Sequence, residues 1–140
     1  MEDKEITFLS ADGKTNIRGY IWESSLKPKG IIVMSHGFSE HMHRHEDVAD
    51  YFTKKGYHFA GMDHIGHGRS VRIGDEVLLS TGYNRKWSEG EDARMLPGTM
   101  ALERGGFSYL VEDYAHFVKQ MKALYQDIPL IMMGFSLGSV

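Results

Sequence analysis

The feature that most constrains the fold of this chain is its last stretch, where a short apolar run ends in a serine flanked by glycines. Residues 130–133 read Leu-Ile-Met-Met, and residues 134–138 read Gly-Phe-Ser-Leu-Gly. A serine with a glycine two positions away on each side, directly after a strand, is typical of a sharp strand-to-helix turn. Gly134 and Gly138 let neighbouring backbone approach without a Cβ clash. The pattern therefore predicts a buried strand, a tight turn at Ser136 and the start of a helix.

Such a turn would give Ser136 a chemical role. Its hydroxyl would stand clear of the sheet, where it could act as a nucleophile. The backbone N–H of Leu137, at the first turn of the helix, could then stabilise a developing oxyanion. Many copies of this five-residue pattern are ordinary turns, so the upstream sequence has to decide between the two interpretations.

A second apolar run, Ile31 to Met34, is typical of a strand buried on both faces. It leads into Ser-His-Gly-Phe-Ser-Glu-His at 35–41. Gly37 after His36 lets the backbone turn as it leaves the sheet, so the N–H of Phe38 could be a second oxyanion donor. The alternative is a plain loop at the end of a strand.

A third run, at 57–62, predicts another buried strand, followed by Asp-His-Ile-Gly-His-Gly-Arg-Ser at 63–70. Ligands bind beyond the carboxyl ends of the strands in open parallel sheets. Asp63, His64 and His67 are therefore candidates for acid–base chemistry. We favour the simpler hypothesis that they tie this loop together by hydrogen bonds.

The remaining pattern predicts an α/β fold with a mostly parallel sheet and an N-terminal antiparallel hairpin. Residues 5–10 and 16–22 predict the hairpin, with Asp-Gly in its turn. Apolar residues at helical spacing predict helices at 47–55 and 107–126, and Gly56 would cap the first. The order of hairpin, strand, helix, strand, loop, helix and strand is typical of helices packed on such a sheet.

Residues 71–106 show no clear hydrophobic period and carry dense charge. A connection of this length without regular structure is unusual inside a compact domain, and it indicates a functional flap or a disordered insert. We expect this segment to be mobile.

Composition narrows the function further. The chain has 140 residues, a net charge of −3 and no cysteine, which favours one domain and argues against a nucleic-acid surface or a thiol nucleophile. The start lacks a signal peptide's apolar core, and no run approaches the roughly 20 apolar residues that span a bilayer. We expect a cytoplasmic protein, with peripheral membrane contact left open and no protein partner indicated. His41, His43 and His45 alternate along a loop-to-helix junction where their rings should diverge, so we expect no metal site.

Taken together, the motifs at 35–41, 63–70 and 134–138 resemble the α/β-hydrolase superfamily, and within it the monoglyceride lipase, lysophospholipase and serine aminopeptidase-like group. The resemblance implies that Ser136 is the nucleophile and that Phe38 and Leu137 supply the oxyanion-hole N–H groups. It implies an acyl-enzyme mechanism on a small lipid or ester, with no metal or organic cofactor. His36, Gly37, Gly134 and Gly138 would support these motifs.

The sequence departs from the family pattern at 71–106, where the family has a much shorter link. The family's catalytic acid and histidine come later in the chain, in the order Ser, Asp, His. The resemblance therefore implies that residues 1–140 are the N-terminal part of one α/β-hydrolase domain, truncated after the strand that leads to Ser136 and inactive alone. The alternatives are a non-catalytic α/β-hydrolase-like interaction protein, or a peptidase or small-ester hydrolase of the same superfamily.

Overall fold

The computed structural model describes residues 2–13, 15–37, 41–65, 68, 70, 76–79, 84–86, 99–100 and 106–135. The chain begins with an antiparallel hairpin of β1 (Lys4–Leu9) and β2 (Asn16–Trp22). Its turn contains Gly13 at φ 75°, in the left-handed region that glycine adopts without steric cost. The hairpin signal of the sequence is confirmed.

Three further strands complete the main sheet, and two helices connect them. These elements are β3 (Gly30–Ser35), α1 (Glu46–Lys54), β4 (Tyr57–Met62), α2 (Gly106–Leu124) and β8 (Leu130–Gly134), with a 3₁₀ helix at Met42–His45 before α1. The strand order is β1-β2-β4-β3-β8. Strand β3 pairs in parallel with β4 and with β8, while β4 pairs antiparallel with β2. This mixed sheet confirms the predicted fold class.

Strand β3 is buried along its whole length, because all six of its residues are buried. Ile31 and Val33 belong to the apolar cluster that includes Phe117 of α2. Ile32 and Met34 belong to a second cluster that includes Ala49 of α1. Alternate side chains thus enter opposite cores, as expected for a strand covered on both faces.

Helix α2 packs closely on the hairpin at Gly19. A Cβ atom at this position would overlap the ring of Phe117, which is fully buried. The helix is also joined to β3, because the Tyr114 hydroxyl donates a hydrogen bond to the carbonyl oxygen of Val33 at 2.8 Å. Burial raises the pKa of Tyr114 to about 12, so the hydroxyl keeps its proton and remains a donor at neutral pH. Neither α2 nor any other helix in the described ranges has the length and apolar character to cross a bilayer.

The segment at 71–106 contains three short strands, β5 (Glu76–Leu79), β6 (Asn84–Lys86) and β7 (Thr99–Met100). They form a separate antiparallel sheet in the order β6-β5-β7. The expectation of a connection without regular structure is wrong for these strands. Strand β5, which contains the apolar run 77–79, pairs with β6 and β7. All three strands are too short for their residues to show a hydrophobic period in the sequence. The mobility of the segment stays a prediction.

Candidate active site

The two strands that lead to the predicted oxyanion donors leave the sheet side by side. Ser35 of β3 and Gly134 of β8 are register partners in the parallel ladder. The ladder continues one residue further, because the Phe135 N–H donates to the carbonyl oxygen of Ser35 at 3.1 Å. Phe38 follows three residues after Ser35, and Leu137 three residues after Gly134. Sheet pairing therefore aligns the ends of the two strands that precede the predicted donors.

Four of the predicted site residues lie outside the described residues, namely Phe38, Ser136, Leu137 and Gly138. Their roles stay predictions. Of the three supporting residues that are described, His36 and Gly37 follow directly on β3, and Gly134 is the last residue of β8.

His36 is fully buried and uses both ring nitrogens. Its Nδ1 lies 2.7 Å from the carbonyl oxygen of Gly37, so Nδ1 must carry the hydrogen. Its Nε2 lies 2.9 Å from the backbone N–H of His64, which can only donate, so Nε2 must accept. The two partners together specify a neutral ring protonated on Nδ1.

His64 is also fully buried and returns a contact to the same loop. Its Nε2 lies 3.1 Å from the carbonyl oxygen of His36 and 3.0 Å from the Ser35 hydroxyl. Because the carbonyl can only accept, Nε2 carries a hydrogen. The two imidazole centroids are 4.2 Å apart. The hypothesis that His64 ties its loop by hydrogen bonds is confirmed.

Asp63 connects three segments through its buried carboxylate. Oδ2 accepts from the Tyr20 hydroxyl at 2.8 Å, and Oδ1 accepts from the backbone N–H of Met42 at 2.7 Å. Gly68, at φ 51°, lies so close that a Cβ atom there would overlap the carboxylate. The tying role of Asp63 is confirmed, whereas His67 lies outside the described residues.

Sequence reasoning missed two partners of this loop, Tyr20 and Met42. Tyr20 lies in a strand whose alternation explains it fully as a packing residue. Met42 takes part through its backbone N–H, which every non-proline residue carries. Their convergence on Asp63 has no signal in the sequence.

The alternating histidines contact different partners. His43 Nε2 lies 2.8 Å from Asp3 Oδ2, and its ring packs edge-on against Tyr20 with centroids 4.2 Å apart. The ring of His45 lies beside Phe135, with centroids 6.0 Å apart. Within the described ranges, no three His, Cys, Asp or Glu side chains form a group that could hold a metal ion.

Comparison with known proteins defines the class to which this geometry belongs. Residues 26–140 match the family model Hydrolase_4, described as serine aminopeptidase, S33. The chain therefore belongs to this hydrolase family of the α/β-hydrolase superfamily, which confirms the resemblance identified from the motifs.

Named relatives agree with this assignment. The chain is 40% identical to the monoacylglycerol lipase of Mycolicibacterium smegmatis over 118 residues, which are 84% of this chain and 32% of the relative. It is 28% identical to the monoglyceride lipase of Rattus norvegicus over 130 residues, which are 93% of this chain and 34% of the relative. The chain thus spans about a third of the length of these relatives.

Solved structures support the fold directly. A thermostable carboxyl esterase from Bacillus coagulans, in complex with glycerol, aligns with a TM-score of 0.71 and 29% identity over 99% of this chain and 38% of that chain. A soluble variant of monoglyceride lipase from Saccharomyces cerevisiae aligns with a TM-score of 0.65 and 15% identity, over 99% of this chain and 35% of that chain. The second likeness bears on the fold alone.

Proposed function

We propose that this chain supplies the nucleophile and the oxyanion hole of a serine hydrolase that cleaves carboxylic esters of the monoacylglycerol type. The observation that carries the proposal is the register of Ser35 with Gly134, extended by the hydrogen bond from Phe135 to Ser35. It brings the segment before Phe38 beside the segment before Ser136. An oxyanion hole needs this arrangement, because its two N–H donors must converge on one oxygen next to the nucleophile.

The proposed reaction has two steps. The Ser136 Oγ attacks the ester carbonyl carbon and its proton passes to a base. The base then gives this proton to the leaving oxygen as the ester bond breaks, which releases the alcohol and leaves an acyl-enzyme. Water, deprotonated by the same base, attacks the acyl carbon, and the base returns that proton to the Ser136 Oγ as the fatty acid leaves. The N–H groups of Phe38 and Leu137 stabilise the negative oxygen in both steps, and losing one such donor typically lowers kcat by about 10²–10³-fold.

The base is not His36 in this proposal. Both of its ring nitrogens are already engaged, with the Gly37 carbonyl oxygen and the His64 N–H. Accepting a proton on Nε2 would place two hydrogens against each other inside a buried pair. This supports a base supplied by the later part of the family's chain, in the order Ser, Asp, His.

The test is Ser136→Ala in the full-length protein, with Ser25→Ala as the matched control at an exposed serine. We expect the Ser136 variant to lose hydrolysis of a monoacylglycerol and labelling by a fluorophosphonate, while the control keeps both. Full activity of the Ser136→Ala variant would show that Ser136 is not the nucleophile. The 140-residue chain alone should not be labelled, and strong labelling at Ser136 would mean that a histidine within it acts as the base.

The family description favours one second candidate, a peptidase acting on an amino-terminal residue. Amide and ester hydrolysis use the same nucleophile and oxyanion hole, so the predicted site residues would serve both. Rates on a monoacylglycerol and on an amino-acid p-nitroanilide would separate them. We expect the ester to be preferred, because the relatives at 40% and 28% identity are named for monoacylglycerol cleavage. Such a substrate would also bring the protein to a membrane surface.

A further inference from the structure

The segment between β3 and the 3₁₀ helix, residues 37–41, carries the proposed oxyanion donor Phe38. We call it the oxyanion segment. Both flanks of this segment are attached to the same dipeptide, Asp63–His64. On the β3 side, the His64 N–H donates to His36 Nε2 at 2.9 Å, and His64 Nε2 lies 3.1 Å from the His36 carbonyl oxygen. On the other side, the Met42 N–H donates to Asp63 Oδ1 at 2.7 Å.

These attachments lie inside the protein, where water does not compete for them. His36, Met42, Asp63 and His64 are all fully buried. Losing the acceptor of a buried hydrogen bond leaves a donor that water cannot reach, and this costs more than the bond itself contributes. Moving either flank of the oxyanion segment therefore breaks a costly contact.

Asp63 itself is anchored to a rigid part of the fold. Its backbone N–H donates to the Arg18 carbonyl oxygen at 2.9 Å, and its Oδ2 accepts from the Tyr20 hydroxyl at 2.8 Å. Both partners belong to β2, which is paired with strands on both of its sides. Through Asp63, the oxyanion segment is therefore held in a fixed position relative to the main sheet.

We propose that Asp63 and His64 are positioning residues that hold both flanks of the oxyanion segment, at His36 and Met42, and thereby support the proposed oxyanion donor between them. This inference rests on the proposed function, because the two residues can act on catalysis only if Phe38 is an oxyanion donor. Both residues are fully buried, so the role assigned to them is to hold the segment and not to contact substrate. The two residues would contribute to stabilisation of the transition state. Their loss should therefore lower kcat and leave KM nearly unchanged.

The first test compares Asp63→Ala with Asp63→Asn in the full-length protein. Alanine leaves the Met42 N–H without its acceptor, whereas asparagine keeps an oxygen in place. We expect kcat to fall about 10²-fold in Asp63→Ala, as for the loss of an oxyanion donor. We expect KM to change less than twofold and Asp63→Asn to recover most of the rate.

Asp113→Ala is the matched control. Asp113 is also a buried carboxylate that accepts one hydroxyl and one backbone N–H, from Ser10 at 2.6 Å and from Ala11 at 2.8 Å. Its removal should destabilise the fold without changing kcat per folded molecule. An equal loss of kcat in both variants would show that Asp63 is merely structural and would overturn the proposal.

The β3 flank gives an independent test if Asp63→Ala does not fold. His36→Leu removes the acceptor of the His64 N–H, and His36→Gln offers a replacement oxygen. We expect kcat to fall in the leucine variant and to recover in the glutamine variant. Equal kcat values for His36→Leu and the wild type would overturn the proposal.

Hydrogen exchange separates this proposal from the proposed function. In substrate-free protein, Asp63→Ala or His36→Leu should speed exchange of amides 37–42 by about tenfold or more, while Asp113→Ala should leave them unchanged. If the wild type cleaves no ester but exchange responds in this way, the attachment stands and the proposed function fails. Unchanged exchange in both site variants would contradict the attachment itself.

Discussion

The backbone N–H of Phe135 donates a hydrogen bond to the carbonyl oxygen of Ser35, at 3.1 Å. This contact lies beyond the last ladder pair of β3 and β8, so the two segments are still side by side one residue after the ladder ends. The serine of the predicted turn is the next residue after Phe135, and the His-Gly motif begins directly after Ser35. Two motifs far apart in the sequence thus start from neighbouring positions.

We predict that Gly19→Ala destabilises the protein. The new methyl group would overlap the ring of Phe117, which is fully buried between α2 and the sheet and cannot move without disturbing the core. Overpacking of this kind typically costs about 1–3 kcal/mol, which urea denaturation measures. Adding Phe117→Leu should recover part of the loss. Gly13→Asn is the control, because nothing lies within 4 Å of a Cβ there and asparagine tolerates positive φ.

We predict that His58 makes the protein less stable as pH falls. Burial lowers the pKa of His58 below its ordinary value of 6.5, and its Nδ1 accepts from the Ser24 N–H at 2.9 Å. The folded state therefore favours the neutral ring. Its contribution to the free energy of unfolding is complete above pH 6.5 and is lost as pH falls through the lowered pKa.

His58→Asn keeps an acceptor oxygen and does not titrate. The difference in free energy of unfolding between wild type and this variant should shrink from pH 7.5 to pH 5, measured in urea. Glu23, Lys4 and the Tyr125 ring face or lie near His58 and are the same in both proteins. Parallel stability curves would show that His58 does not titrate between the two states.

We predict the opposite slope for Asp113. Burial raises the pKa of this carboxyl above 3.8, although Ser10 and Ala11 both donate to it. The folded state therefore favours the protonated acid, so its contribution to stability is present below pH 3.8 and is lost as pH rises through the raised pKa. The difference between wild type and Asp113→Asn should decrease from pH 3.5 to pH 6. A difference that grows over this range would contradict the assignment.

We predict that dialysis against a chelator leaves the melting temperature of the protein unchanged. His43 is paired with Asp3, and His45 lies against Phe135, so their rings do not point to one centre. The melting temperature before and after dialysis is the measurement, with added zinc as the second arm. A fall that zinc reverses would establish a metal site at these histidines.

The sequence alone determined the elements and the predicted positions of the reactive groups. Strand and helix patterns depend on residues a few positions apart, which is why 16–22 and 57–62 match β2 and β4 at both ends. The turn at 134–138 can be predicted for the same reason, since it requires particular residues in direct succession. The strands at 76–79, 84–86 and 99–100 were missed because each is too short to show a period.

Only the tertiary structure decided which polar groups meet. Asp63 joins Tyr20 and Met42, which are 43 and 21 residues away, and the neutral form of His36 follows from its contact with the His64 N–H. Burial likewise decides the opposite pKa shifts of His58 and Asp113. A hydrogen bond or a desolvated charge depends on which distant segments the sheet order brings together. That order, with β4 between β2 and β3, arises from packing of the whole chain and is written in no local pattern.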